Sequence, residues 1–238
     1  MCISKHFFFI ILVLLISLFE SCRGYSVAPN VPNYFTKAKQ LNINAGNSNL
    51  GASAQINYSF TNKHFLRVGG LANTTSGLYG PNSTNINGNI GIGIYSGNLR
   101  DTYKQTSLDF FSGKYESYYS YSNYQDYKYL GKKYKVPSYI NAIILRKAFM
   151  SFSPKKEFYF GPHIGSGIGI MKAVQKTLDS ADVNINYTQF ISEFGLMYSN
   201  QNVSDGDLYF NFYVNVSLVG GQWAGVFFSG SLTYRLVR

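Results

Sequence analysis

Two stretches alternate apolar and non-apolar residues with strict period 2, and they constrain the fold more than anything else in the chain. In residues 50–60, Leu50, Ala52, Ala54, Ile56, Tyr58 and Phe60 take the even positions, and Gly51, Ser53, Gln55, Asn57 and Ser59 fill the odd ones. In residues 208–218, Leu208, Phe210, Phe212, Val214, Val216 and Leu218 alternate with Tyr209, Asn211, Tyr213, Asn215 and Ser217. A strand turns successive side chains to opposite faces, so each stretch is a strand with one greasy side and one polar side. Almost no 3.6-residue period occurs from Gln40 onward, so the expected class is all-β.

Ile90, Ile92 and Ile94 interleave with Gly91, Gly93 and Tyr95, and residues 157–171 repeat the pattern around Gly165, Gly167 and Gly169. Weaker alternation marks 39–46, 64–73, 105–113, 138–152, 187–199 and 224–237. The set amounts to an antiparallel up-and-down β-barrel of 8–10 strands. Most of the candidate strands are longer than the five or six residues usual in globular proteins and match the nine to eleven that cross a bilayer. The three longest connections, of about 14, 24 and 16 residues, are the third, fifth and seventh, which a meander places at one end of the barrel. Pro162 falls inside a predicted strand. Lacking an N–H, it calls for a bulge there or a strand start delayed to His163.

Residues 7–22, FFFIILVLLISLFESC, follow Lys5 and His6. A positive start, a short apolar core and a small residue before a break make a secretory signal, and the core is too short to span a bilayer comfortably. Ser21 precedes Cys22, and this arrangement resembles a bacterial lipoprotein signal, which implies lipidation of Cys22. The chain then divides into a signal peptide (1–21), an extended tether (22–38) and a barrel domain (39–238). Pro29, Pro32, Asn30 and Asn33 account for the tether. Cleavage removes Cys2 and leaves one cysteine, so no disulfide can form within the mature chain.

Charge and chemistry exclude several functions. The net charge is +10, with no Asp or Glu between Arg23 and Arg100, but the cations are scattered, which argues against nucleic acid and for anionic lipid head groups. No zinc, paired-cysteine or phosphate-loop motif occurs, so no metal or cofactor is expected. The glycine-rich stretches lie in alternating strands and read as packing positions. The one catalytic combination is His163 with Ser166 and Glu193, but His163 and Ser166 are three apart on a strand and face opposite sides, so the expectation is no enzyme. Glu193 and Gln189 read as lumen residues, and His64, after a T-N-K turn, as a rim residue. Residues 114–137 carry eight tyrosines. They read either as a loop that contacts glycan, lipid or protein, or in part as extensions of the flanking strands.

The segment A-Q-I-N-Y-S-F-T-N-K-H (54–64), behind a lipobox and the tether Y-S-V-A-P-N-V-P (25–32), resembles lipidated outer-membrane β-barrel proteins of the Bacteroidota type. The resemblance covers the first third of the chain and implies fold and location, not an activity. It implies a lipid-anchored protein in the outer membrane of a Gram-negative bacterium, and Arg23, which is not the acidic inner-membrane retention residue, agrees; a monomer is expected. Barrels of this kind usually end on an aromatic residue, whereas the last one here is Tyr234, four residues from the end. The expected role is structural or interaction-based, with outer-membrane lipids as partners and the long loops as contact surface. A tethered, soluble, lipocalin-like barrel for a hydrophobic ligand is the alternative, because period 2 does not say which face is inside. A lipid-acting enzyme ranks behind it.

Overall fold

The computed structural model describes residues 32–48, 51–75, 83–97, 101–120, 133–153, 158–175, 183–200, 208–219 and 222–237. Ten antiparallel strands follow in chain order: β1 (Gln40–Ser48), β2 (Gly51–Ser59), β3 (His64–Thr75), β4 (Ser83–Gly97), β5 (Thr102–Ser120), β6 (Lys133–Ser153), β7 (Phe158–Gln175), β8 (Val183–Asn200), β9 (Leu208–Val219) and β10 (Gln222–Val237). Each pairs with its chain neighbours, and β1 closes on β10 from Gln40↔Val237 to Ser48↔Ser229. Closure leaves no unpaired sheet edge. The even strand count brings Gln40 and Val237 to one end, called here the terminal end; residues 49–50, 76–82, 121–132, 176–182 and 220–221 connect strands at the other, the loop end.

The expected strands all appear, and several run longer than the alternation suggests. β5 and β6 stay paired from Tyr115↔Ser138 to Ser120↔Lys133. The tyrosine-rich stretch 114–137 therefore splits: 114–120 and 133–137 extend the two strands, and 121–132 lies outside the described residues. Pro162 causes neither a bulge nor a late start. β7 begins at Phe158, and Ala148↔His163 and Ser151↔Phe160 stand in one register, the ladder to β6 lapsing only between them. Gly161 brings the β7 backbone so close to the Phe149 carbonyl that no Cβ fits, while Pro162 is exposed on the outside.

The apolar face is the outer one. Ile56, Val68, Ile90, Ile168, Phe190 and Leu232 are each half exposed or more, whereas Gln55, Asn57, Arg67, Asn89, Asp109 and Glu193 are buried inside. On β9, Leu208 and Phe210 point out, and Tyr209, Asn211, Tyr213 and Asn215 point in. A lipocalin-like barrel needs the opposite arrangement. An apolar outside over a polar inside is the construction of a barrel standing in a bilayer.

The height of the apolar band agrees. On β5 the outward face runs from exposed Lys104 through Leu108 and Phe110 to exposed Lys114, ten residues on. At about 3.3 Å per residue and a tilt near 40°, that is roughly 25 Å, the usual band of a membrane barrel. Outward aromatics, Tyr58, Phe60, Phe160, Tyr198, Phe210 and Tyr234, gather at the terminal end like an interfacial girdle. Ile92, Leu108 and Leu145 are cross-strand neighbours near mid-band. Ile92→Arg is therefore expected to cost about 2–4 kcal/mol in a bilayer. A half-exposed position on a water-soluble barrel would change by about 0.5 kcal/mol or less. Urea unfolding of the reconstituted protein, followed by its gel-mobility shift, measures the difference.

Candidate functional site: a sealed lumen

Four charged side chains from four strands meet inside the barrel. Arg67 (β3), Asp109 (β5), Arg146 (β6) and Glu193 (β8) are all buried. Arg146 grips Glu193 with two bonds, from Nε to Oε2 at 2.7 Å and from Nη2 to Oε1 at 2.8 Å, and reaches Asp109 Oδ2 through Nη1 at 3.1 Å. Arg67 Nη1 lies 3.5 Å from Asp109, and its Nε donates to Asn57 Oδ1 at 3.1 Å. Ser107 donates to Asp109 Oδ2 at 2.9 Å. Two cations balance two anions, so the cluster adds no net charge to a space closed to water. That balance, with a planar two-point grip, is what allows ions to be buried at all.

Glycines make room for it. A Cβ on Gly165 would stand 2.6 Å from Glu193 Oε2 and 3.3 Å from Arg146 Cγ, and one on Gly91 would collide with Asp109 Oδ1. The glycine-rich strands are packing positions, as their alternation suggests.

Residues 32–35, ahead of β1, dock below this cluster. Thr36 is exposed, but Phe35, Tyr34, Asn33 and Pro32 run inward and are buried. Strand side chains capture their backbone: Asn33 N–H donates to Gln105 Oε1 (3.1 Å), Tyr103 O–H donates to Asn33 O (3.0 Å), and Gln40 and Asn42 amides donate to Tyr34 O at 3.0 and 2.9 Å. The Tyr34 ring lies 5.4, 5.3 and 5.8 Å from Tyr103, Tyr159 and Tyr209, and Phe35 lies 5.3 and 5.0 Å from Phe65 and Tyr95. The Tyr34 hydroxyl is hydrogen-bonded to Ser199 at 3.1 Å. An aromatic plug thus fills the terminal mouth.

His163 faces the lumen and pairs through Nδ1 with the Tyr213 hydroxyl at 2.9 Å, whereas Ser166 faces out. The structure does not bring His163 and Ser166 together. Glu193 is tied to Arg146, and Gln189 is only partly buried on the same inner face. His64 sits at the terminal rim, its Nδ1 2.8 Å from Thr61 Oγ1. Between Pro32, Arg67, Gln105, Arg146 and His163 remains a cavity of about 10 Å³, room for about one water. Among the described residues no three metal-ligating side chains come together. Cys22 lies outside the described residues. Arg67, Asp109 and Arg146 were not singled out by the sequence, although each occupies the inward phase of an alternating strand.

No protein-family model and no curated protein matches the chain. Solved structures with a similar arrangement include the β domain of the Bordetella autotransporter Brka, at 10% identity over 84% of this chain and 98% of that one, with a TM-score of 0.48. The translocator domain of the autotransporter NalP from Neisseria meningitidis matches at 13% identity over 82% and 86%, TM-score 0.46. The CymD monoaromatic hydrocarbon channel matches at 8% identity over 84% and 87%, TM-score 0.27. None of the three is similar enough to carry an argument about this chain.

Proposed function

We propose that the protein is an outer-membrane β-barrel lipoprotein, anchored through Cys22, with a structural or interaction role rather than a transport or catalytic one. The sealed lumen carries this reading. A solute pathway needs an aqueous route, and here a neutralised ion cluster and an aromatic plug occupy the interior in series. An enzyme needs reactive groups on one accessible surface, and His163 and Ser166 are on opposite sides of the wall. The surfaces left to act are the apolar wall, which meets lipid, and the loop end, where 121–132 is the longest connection and the natural contact for a protein or glycan partner.

Cys22 separates anchoring from spanning. A Cys22→Ser chain is expected to lose incorporation of labelled palmitate yet stay in the membrane fraction with unchanged heat-modifiable gel mobility, because the wall itself holds it there. Release of a folded monomer into the aqueous fraction would contradict the proposal.

A further inference from the structure

One side of the outer wall is hollowed. On β4–β7 the outward positions Gly88, Ser112, Asn141 and Ser166 carry small or polar side chains among outward Ile, Leu and Phe side chains. Gly88, Ser112 and Asn141 are successive cross-strand partners. With Ile90, Phe110, Ile143 and Ile168 standing around them, they form a depression of about 960 Å³. That volume is at the upper end of ordinary ligand pockets.

The floor of the hollow has an unmet donor. Ser112 Oγ donates to Asn141 Oδ1 at 2.9 Å, and both residues are exposed. The Asn141 amide N–H groups have no partner among the described residues. Facing hydrocarbon, such a donor costs several kcal/mol unless something accepts from it. One step nearer the loop end, the outward row is Lys114, Tyr139 and Lys172, again cross-strand partners. Lys114 lies 5.8 Å from the Tyr139 ring centroid and pairs with Glu116 at 2.6 Å, while Lys172 is exposed and forms no ion pair among the described residues.

Cation, amide donor and apolar hollow follow one another in the order in which a glycerolipid presents its phosphate, ester carbonyls and acyl chains. We infer that β4–β7 form a site for one membrane lipid of the loop-side leaflet, an acyl-ester lipid with an anionic phosphate headgroup. Its phosphate meets Lys172 beside Tyr139, an ester carbonyl accepts from Asn141, and an acyl chain fills the hollow. The inference rests on the membrane-barrel reading above.

The test uses the full chain in nanodiscs of mixed phosphatidylcholine and phosphatidylglycerol, transferred to detergent and examined by native mass spectrometry. One phosphatidylglycerol per barrel is expected to survive activation that strips phosphatidylcholine. Lys172→Ala should weaken retention about fivefold, the effect of roughly 1 kcal/mol for one cation at a membrane surface. Ser112→Phe, which fills the hollow from outside, should abolish retention while heat-modifiable mobility stays normal. Equal retention of the two lipids, or no effect of either variant, overturns the inference. So does a covalent dimer formed through Asn141→Cys, which would put a second copy in the hollow. Loss of heat-modifiable mobility in the unmodified chain is a different result, the failure of the membrane-barrel reading itself.

Discussion

Replacing Arg146 with Leu is expected to cost about 3–5 kcal/mol, the usual consequence of stranding buried charge. Among the described residues Arg146 is the one ionic partner of Glu193, and it is the nearer of the two arginines to Asp109, at 3.1 Å against 3.5 Å for Arg67. Without it one carboxylate has no cation and the other keeps only a distant one. Removing charge in balance should be far milder. Arg146→Leu with Glu193→Leu leaves Arg67 facing Asp109, one cation to one anion, in a lumen that tolerates apolar volume next to Ile144 and Ile191. Urea unfolding in detergent, monitored by heat-modifiable mobility, checks both. The single variant should lose much of the barrel's stability, and the double should recover most of it. Equal losses would mean that the four charges do not act as one cluster.

Tyr34→Ala should have the second large effect, and a local one. Truncating a fully buried aromatic costs about 3–5 kcal/mol. Tyr34 is held by three tyrosine rings and by bonds to its backbone, but the closed β-ladder does not depend on it. The plug should therefore release while the wall stays paired. The backbone N–H groups of Asn33 and Phe35, bonded to Gln105 and Tyr103, should exchange with solvent much faster, with the strand amides unchanged. Planar-bilayer recordings should show a silent barrel for the parent and, at most, small conductance for the variant, because the ion cluster remains. A parent that conducts steadily would contradict the sealed lumen.

How much of this could be read in the sequence depended on how far apart the interacting residues lie. Alternation in 50–60 and 208–218 specified strands and their two faces directly, because period 2 is a local property. Which face looks inward is not local: it depends on how ten strands close, and only the placement of pairs such as Phe210 and Asn211 decides it. The strand ends at 114–120 and 133–137 were obscured because tyrosine suits both an exposed loop and a sheet extension. Pro162 misled for a related reason: the sequence shows the missing N–H but not that the ladder lapses for two residues and resumes in register. The plug was the hardest to foresee. Asn33, Tyr34 and Phe35 have no period, and their bonding partners lie 72, 175 and 68 residues away. The charges of Arg67, Asp109 and Arg146 were visible, but their meeting depends on closure.

The central claim is that the apolar face of this barrel meets lipid. Nitroxide labels placed one at a time at Ile90, Ile92 and Ile94, with Lys63 in the terminal-end turn as a reference, test it most directly in reconstituted membranes. The three strand labels should collide freely with dissolved oxygen and hardly at all with a water-soluble nickel chelate, while the Lys63 label should show the reverse. Strand labels as open to the chelate as Lys63 would contradict it.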